Sequence, residues 1–126
     1  MAIAQDSILN TIKQMLGVDS EYTNFDMAIQ NHINTAINVL AQIGAIDDGY
    51  CITGYSETFG DMLGEKLSVA QMVRTYIYEK VKLMFDPPLS SSLIDVSEKH
   101  IAELEFRIKV QLDNTGEETD GVDDSE

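Results

Sequence analysis

Along this chain, apolar residues recur every three or four positions in four separate stretches, and each stretch ends at glycine, proline or a run of polar residues. From Asp6 or Ser7 to Gly17, the residues Ile8, Leu9, Ile12, Met15 and Leu16 fall on one helical stripe. Asp6 or Ser7 can cap the start, and Gly17 supplies a left-handed stop. A second stripe, Ile29, Ile33, Ala36, Ile37, Leu40 and Ile43, runs from a cap at Thr23, supported by Asp26, to Gly44. At about 1.5 Å per residue it predicts a strut roughly 30 Å long, with Asn31, Asn34 and Asn38 on its wetter face. A third helix is expected from about Ser68 to Phe85, burying Val69, Met72, Val73, Tyr76, Ile77, Val81 and Met84. It is stopped by Asp86-Pro87-Pro88, because proline lacks an amide donor and disfavours helical geometry in its predecessor. A fourth begins at a capping pair, Ser92 with Asp95, and buries Leu93, Val96, Ser97, Ile101, Leu104, Ile108 and Leu112.

Between the second and third helices, from Ala45 to Glu65, the rhythm fails. Asp47, Asp48, Gly49, Gly54, Gly60 and Gly64 punctuate short apolar pieces such as Tyr50-Cys51-Ile52, which predicts a loop holding at most a brief strand pair. A connection this long in a compact domain tends to be functional, so it reads as a contact surface. Its aromatics Tyr50, Tyr55 and Phe59, with Arg74, Tyr78 and Lys82 on the third helix, are the candidate partner contacts. The fold expected is all-α: a small bundle of about four helices over residues 1–112, with a long Gly-rich loop between the second and third, then a disordered acidic tail over 113–126. No repeat suggests a solenoid.

Charge changes this picture in one respect. The chain carries 22 acids against 8 bases, a formal charge of -14. The segment 113–126 holds Asp113, Glu117, Glu118, Asp120, Asp123, Asp124 and Glu126 with no base, leaving 15 acids against 8 bases, or -7, for the body. Such a body lacks the clustered Lys and Arg that neutralise phosphates, which argues against a DNA-gripping protein. The acidic tail keeps the protein soluble or docks on a basic neighbour. The N-terminus has neither a basic start nor a long apolar run, so no signal peptide is expected, and no stretch approaches the roughly 18 apolar residues of a membrane span. A soluble, cytoplasmic product is expected.

Candidate chemistry is sparse. Cys51 is the single cysteine, with no base placed beside it, so an ordinary thiol is expected and an internal disulfide is excluded. His32 and His100 lie in polar helical stretches. Glu103 is three residues from His100, a spacing acceptable for a metal but common by chance. Asp47-Asp48-Gly49 and the acidic tail lack the alternating ligands and closing glutamate of a calcium loop. Asp61, Glu57 and Glu65 could be paired as acid and base, yet such pairs in an acidic protein are usually solvated. No phosphate-cradling loop and no GxSxG elbow occurs. No catalytic residue, metal or cofactor is expected, and the chain reads as a non-enzyme.

The run from Val73 to Pro88, Val-Arg-Thr-Tyr-Ile-Tyr-Glu-Lys-Val-Lys-Leu-Met-Phe-Asp-Pro-Pro, is followed by a serine stretch and a helix ending Leu104-Glu105-Phe106-Arg107-Ile108. With the start Asp6 to Gly17 and the strut Ile33 to Gly44, it resembles the head-tail connector (adaptor) family of tailed bacteriophages and prophages over about Asp6 to Leu112. The resemblance implies a structural subunit that closes as a ring, a dodecamer, beneath the portal protein, meets a stopper or neck protein below, and prolongs the DNA channel without binding DNA specifically. It implies a place at the head-tail interface of the virion, with assembly in the host cytoplasm. A chain of this size has a radius of gyration of roughly 14 Å, against a duplex whose major groove alone is about 12 Å wide, so only an oligomer could enclose DNA. An acidic wall would let DNA slide, because nothing there displaces its counterions. Two rival readings are a small acidic regulatory protein that mimics DNA towards a basic partner, and an enzyme using the Gly-rich loop as a lid.

Overall fold

The computed structural model describes residues 6–64 and 66–115, and these form an all-α domain. In chain order the helices are α1 (Ile8–Leu16), α2 (Asp26–Gln42), α3 (Phe59–Leu63), a 3-10 turn (Leu67–Val69), α4 (Ala70–Phe85) and α5 (Ser91–Thr115). The expected number of four therefore becomes five. The addition is α3, a single turn and a half inside the Gly-rich connection, capped by the Thr58 hydroxyl, which accepts from the Asp61 amide at 3.1 Å. The strand pair considered for this connection reduces to one antiparallel bridge, Ser7 to Thr58, which ties the connection to the start of the chain. No strand occurs among the described residues. The segment from residue 116, most of the expected acidic tail, lies outside the described residues; α5 itself continues to Thr115, three residues past Leu112.

The helix ends follow backbone chemistry, with two corrections. Ser7 caps α1 by accepting from Asn10. At the other end Val18 and Gly17 donate to the carbonyls of Lys13 and Gln14, with Gly17 at φ +85°. That left-handed geometry suits glycine. Thr23 does not cap α2: the helix begins two residues later, after Phe25, which offers no side-chain cap. Asp26 is instead drawn into an ion pair with Lys13. Ser90, not Ser92, caps α5, its hydroxyl accepting from the Ser92 amide at 3.2 Å.

α4 is the centre of the domain, packed against α1, α2, α3 and α5. Its Val73, Tyr76, Ile77 and Val81 are buried with Ile29, Ile33, Ile37 and Leu40 of α2, Ile8, Leu9 and Ile12 of α1, and Ile101, Leu104, Ile108 and Leu112 of α5. The predicted stripes are thus largely the core. Leu16, Ile43, Met72 and Ser97 are only partly buried, and four members are exposed: Met15, Met84, Leu93 at 56% and Val96 at 61%. The last two fail because of geometry. Tyr76 meets Glu105 and Glu79 faces His100, so α4 and α5 run antiparallel with Phe85 opposite about residue 95. Leu93 therefore lies beyond the end of its partner helix, and Val96 turns outward.

Candidate assembly surfaces

One polar cluster stands inside the fold. Lys13 is completely buried. Its Nζ donates to the carbonyls of Ser20 (3.2 Å) and Tyr22 (2.8 Å) and to the Tyr55 hydroxyl (2.7 Å), and lies 2.7 Å from Asp26 Oδ1. The Tyr55 hydroxyl in turn donates to Asp26 Oδ2 at 2.6 Å. A buried ammonium survives only when its donors are matched in this way. Burial alone would lower the Lys13 pKa, but the hydrogen bonds to Asp26 and Tyr55 outweigh it and hold the group above its ordinary value. Burial and the Asp26 hydrogen bond push the Tyr55 phenol up as well. The cluster fastens three things together: α1, the start of α2 and the Gly-rich connection.

Other polar contacts fix that connection along its length. Asn34 of α2 donates to the Ile52 carbonyl (3.0 Å) and accepts from the Ile52 amide (2.8 Å), occupying both backbone groups as a neighbouring strand would. Glu57 accepts from the Thr53 amide and hydroxyl, at 3.0 and 2.7 Å. Burial alone would raise the Glu57 pKa, but these hydrogen bonds bring it below the usual carboxylate range.

The six sequence-derived contact candidates are distributed accordingly. Phe59 is buried as the first residue of α3, with the Arg74 guanidinium 4.3 Å from its ring centre. Arg74 also binds Asp6 at 3.0 Å. Tyr55 belongs to the Lys13 cluster. Tyr50 is half-buried, and burial together with Glu57 pushes its pKa up. Tyr78 packs half-buried against the core. Lys82 lies 3.6 Å from Asp86, one turn away and part-exposed. The candidates are therefore spread over several parts of the surface and interior and form no single patch.

Two exposed apolar regions were not singled out by sequence. The first is at the end of the domain where α2 begins and α4 stops: Phe25 meets Tyr22 at a tilt and Phe85 edge-to-face, with ring centres 5.4 and 5.2 Å apart, and Met27 is exposed two residues on. The second is on α5. Leu89 and Leu93 precede or overhang the body, and Val96, Phe106 and Val110 are exposed further along. Phe106 and Val110 border a shallow depression of about 410 Å³ shared with Met72, Glu103, Arg107 and Gln111. Large apolar side chains grouped on a surface mark contact sites more often than chance exposure does. No sequence signal marked either region, because periodicity shows which residues share a face and not whether a partner covers it.

His100 Nδ1 lies 3.6 Å from Glu79, while Glu103 is taken by Arg107 at 2.8 Å, so the His100 and Glu103 pair does not form a metal site. Among the described residues no group of three or more His, Cys, Asp or Glu side chains could hold a metal ion. Cys51 is exposed and free. Glu65 lies outside the described residues. Of the described helices, none is long and apolar enough to cross a membrane.

The family model for phage connector proteins matches residues 8–115, and the chain belongs to that family. Its role is accordingly of the structural, phage connector type. No curated protein and no solved structure matches the chain.

Proposed function

We propose that this chain is a head-tail connector subunit that closes as a ring of identical copies beneath the portal protein, receives a stopper or neck protein below, and lines a continuation of the DNA channel. Family membership supports the connector role. The observation that carries the ring is the exposed apolar surface of α5, where Val96 and Phe106 stand 61% and 68% exposed on a helix that the chain's own core covers from one side only. Isolated subunits gain nothing from that surface, whereas a neighbour burying it gains the hydrophobic contribution of each side chain.

The acidic composition fits the conduit. A wall without a basic stripe releases no counterions from DNA and so does not hold it during passage. The DNA-mimic alternative finds less support. It requires free carboxylates along a rigid face, while Asp6, Asp26 and Glu103 are each engaged by a base within 3.0 Å. Mixing the purified chain with portal rings and imaging the product by negative-stain electron microscopy tests the proposal. An added annular layer on the portal is expected, with no duplex DNA retained at moderate salt. Bare portals at saturating chain concentration would refute it.

A further inference from the structure

The ring reading leaves open which surfaces of one copy meet the next, and the distribution of charge over the helices narrows the choice. At -14 overall, two copies repel one another, over a range of about 8 Å at physiological salt. They can approach closely only through faces depleted of acids. The outward faces of α2 and α5 are the two long ones that combine few acids with exposed uncharged side chains.

The first is on α2. This helix of 17 residues contains one acid, Asp26 at its start, and no lysine or arginine. Its outward face presents Met27, Asn31, Asn38 and Gln42, all exposed and all uncharged. A solvent-facing helix normally carries charge on that side; a charge-free one resembles the centre of a protein interface. The second is on α5. Val96, Lys99, Glu103, Phe106 and Val110 follow one another at steps of three, four, three and four, a single stripe opposite the buried Ile101, Leu104, Ile108 and Leu112. The stripe itself carries Lys99 against Glu103, and Glu103 is neutralised by Arg107 at 2.8 Å, with Asp95 and Asp113 on its far flank; it is close to neutral within a strongly acidic protein.

α2 and α5 each pack on α4, so the two faces belong to different helices of one subunit. The two faces also differ in chemistry. One offers amide side chains and Met27; the other offers Val96, Phe106 and Val110 with cationic donors that amide oxygens can accept. Two surfaces of a subunit that are unlike each other make a heterologous, head-to-tail contact, the kind that closes into rings when the rotation closes. We infer that the α5 stripe of one copy docks on the uncharged α2 face of the next, and that this contact is the repeating joint of the ring. The inference rests on the ring reading and specifies its interface. The segment 116–126 is a poor occupant for Val96, Phe106 and Val110, since it holds a single apolar residue, Val122.

Cross-linking decides it. In full-length chain with the exposed Cys51 changed to serine, Phe106→Cys and Asn31→Cys are introduced singly and together, and assembled material is treated with a short bis-maleimide. The double variant is expected to give a covalent ladder of multiples of the chain. Neither single variant should dimerise, and their mixture should stop at the dimer. In parallel, Phe106→Asp should raise the concentration for half-assembly at least ten-fold while leaving the melting curve unchanged.

Self-linking of Phe106→Cys would overturn the inference in favour of a twofold α5 pairing. Linking of that cysteine to portal or stopper would assign the stripe to those partners, and linking of the double variant only after removal of 116–126 would assign it to that segment. Rings that persist with no ladder and with Phe106→Asp unaffected remove this interface alone. Absence of rings from the unmodified chain, with and without portal, removes the ring reading together with it.

Discussion

Replacing Lys13 with methionine should be the most damaging single change of a polar residue in the domain. Methionine retains most of the aliphatic volume, so little of the effect comes from a cavity. What is lost is the ammonium that serves the Ser20 and Tyr22 carbonyls, the Tyr55 hydroxyl and Asp26, all within 3.2 Å. Removing one partner of a buried ion pair costs about 3 to 5 kcal/mol, because the other charge is left uncompensated. Asp26 keeps 21% of its side-chain exposure and can partly rehydrate, which places the cost near the lower end, about 3 kcal/mol. For a domain of this size that corresponds to a fall in Tm of roughly 12 °C, at about 4 °C per kcal/mol.

Urea denaturation followed by far-UV circular dichroism measures it, in a cycle with Asp26→Asn and the double variant. Asparagine at 26 removes the stranded charge while still accepting from Tyr55, so the double variant should recover more than 1 kcal/mol relative to the sum of the singles, on the order expected for residues in contact. A loss below about 1 kcal/mol for Lys13→Met, or strict additivity in the cycle, would show that the cluster is not the clamp described.

Further outcomes follow from the same structure. Lys13 and Tyr55 both hold their protons more tightly folded than unfolded, so their contribution is complete below their ordinary values of 10.5 and 10.0 and is lost as pH rises through the folded values. The urea midpoint should therefore fall above about pH 10, and less so in Lys13→Met; an equal fall in both chains would contradict this. Asn34→Ala strands the Ile52 amide and carbonyl, costing about 1 to 3 kcal/mol, and amide hydrogen exchange at Ile52 should accelerate more than at Ile37 in the core. Ile37→Ala, at a completely buried position, should cost about 2 to 5 kcal/mol by equilibrium unfolding. Leu93→Asp, on the overhanging turn of α5, should change stability by less than about 0.5 kcal/mol; a larger loss would mean that Leu93 is packed in the folded monomer.

Much of this fold was legible because period and burial coincide wherever a helix lies against α4 along its length. Ile29, Ile33, Ala36, Ile37 and Leu40 follow the stripe drawn from sequence and are all buried. The stripe misled at Leu93 and Val96 because periodicity states that two residues share a face and not that a partner reaches them. Lys13 was invisible for a different reason. Its burial depends on the carbonyls of Ser20 and Tyr22 and on Tyr55, more than forty positions away, closing around it, and no local pattern encodes that meeting. Phe59 and Tyr55 were read as contact residues because they sit in a glycine-rich stretch. The same glycines let the chain fold back so that Phe59 becomes core and Tyr55 anchors the connection.

Native mass spectrometry of the full chain, alone and after addition of portal, tests the central claim most directly. The account predicts a large closed assembly of equal subunits, formed spontaneously or on the portal template. A chain that stays monomeric or dimeric in both samples, at concentrations far above those of assembly, would contradict it.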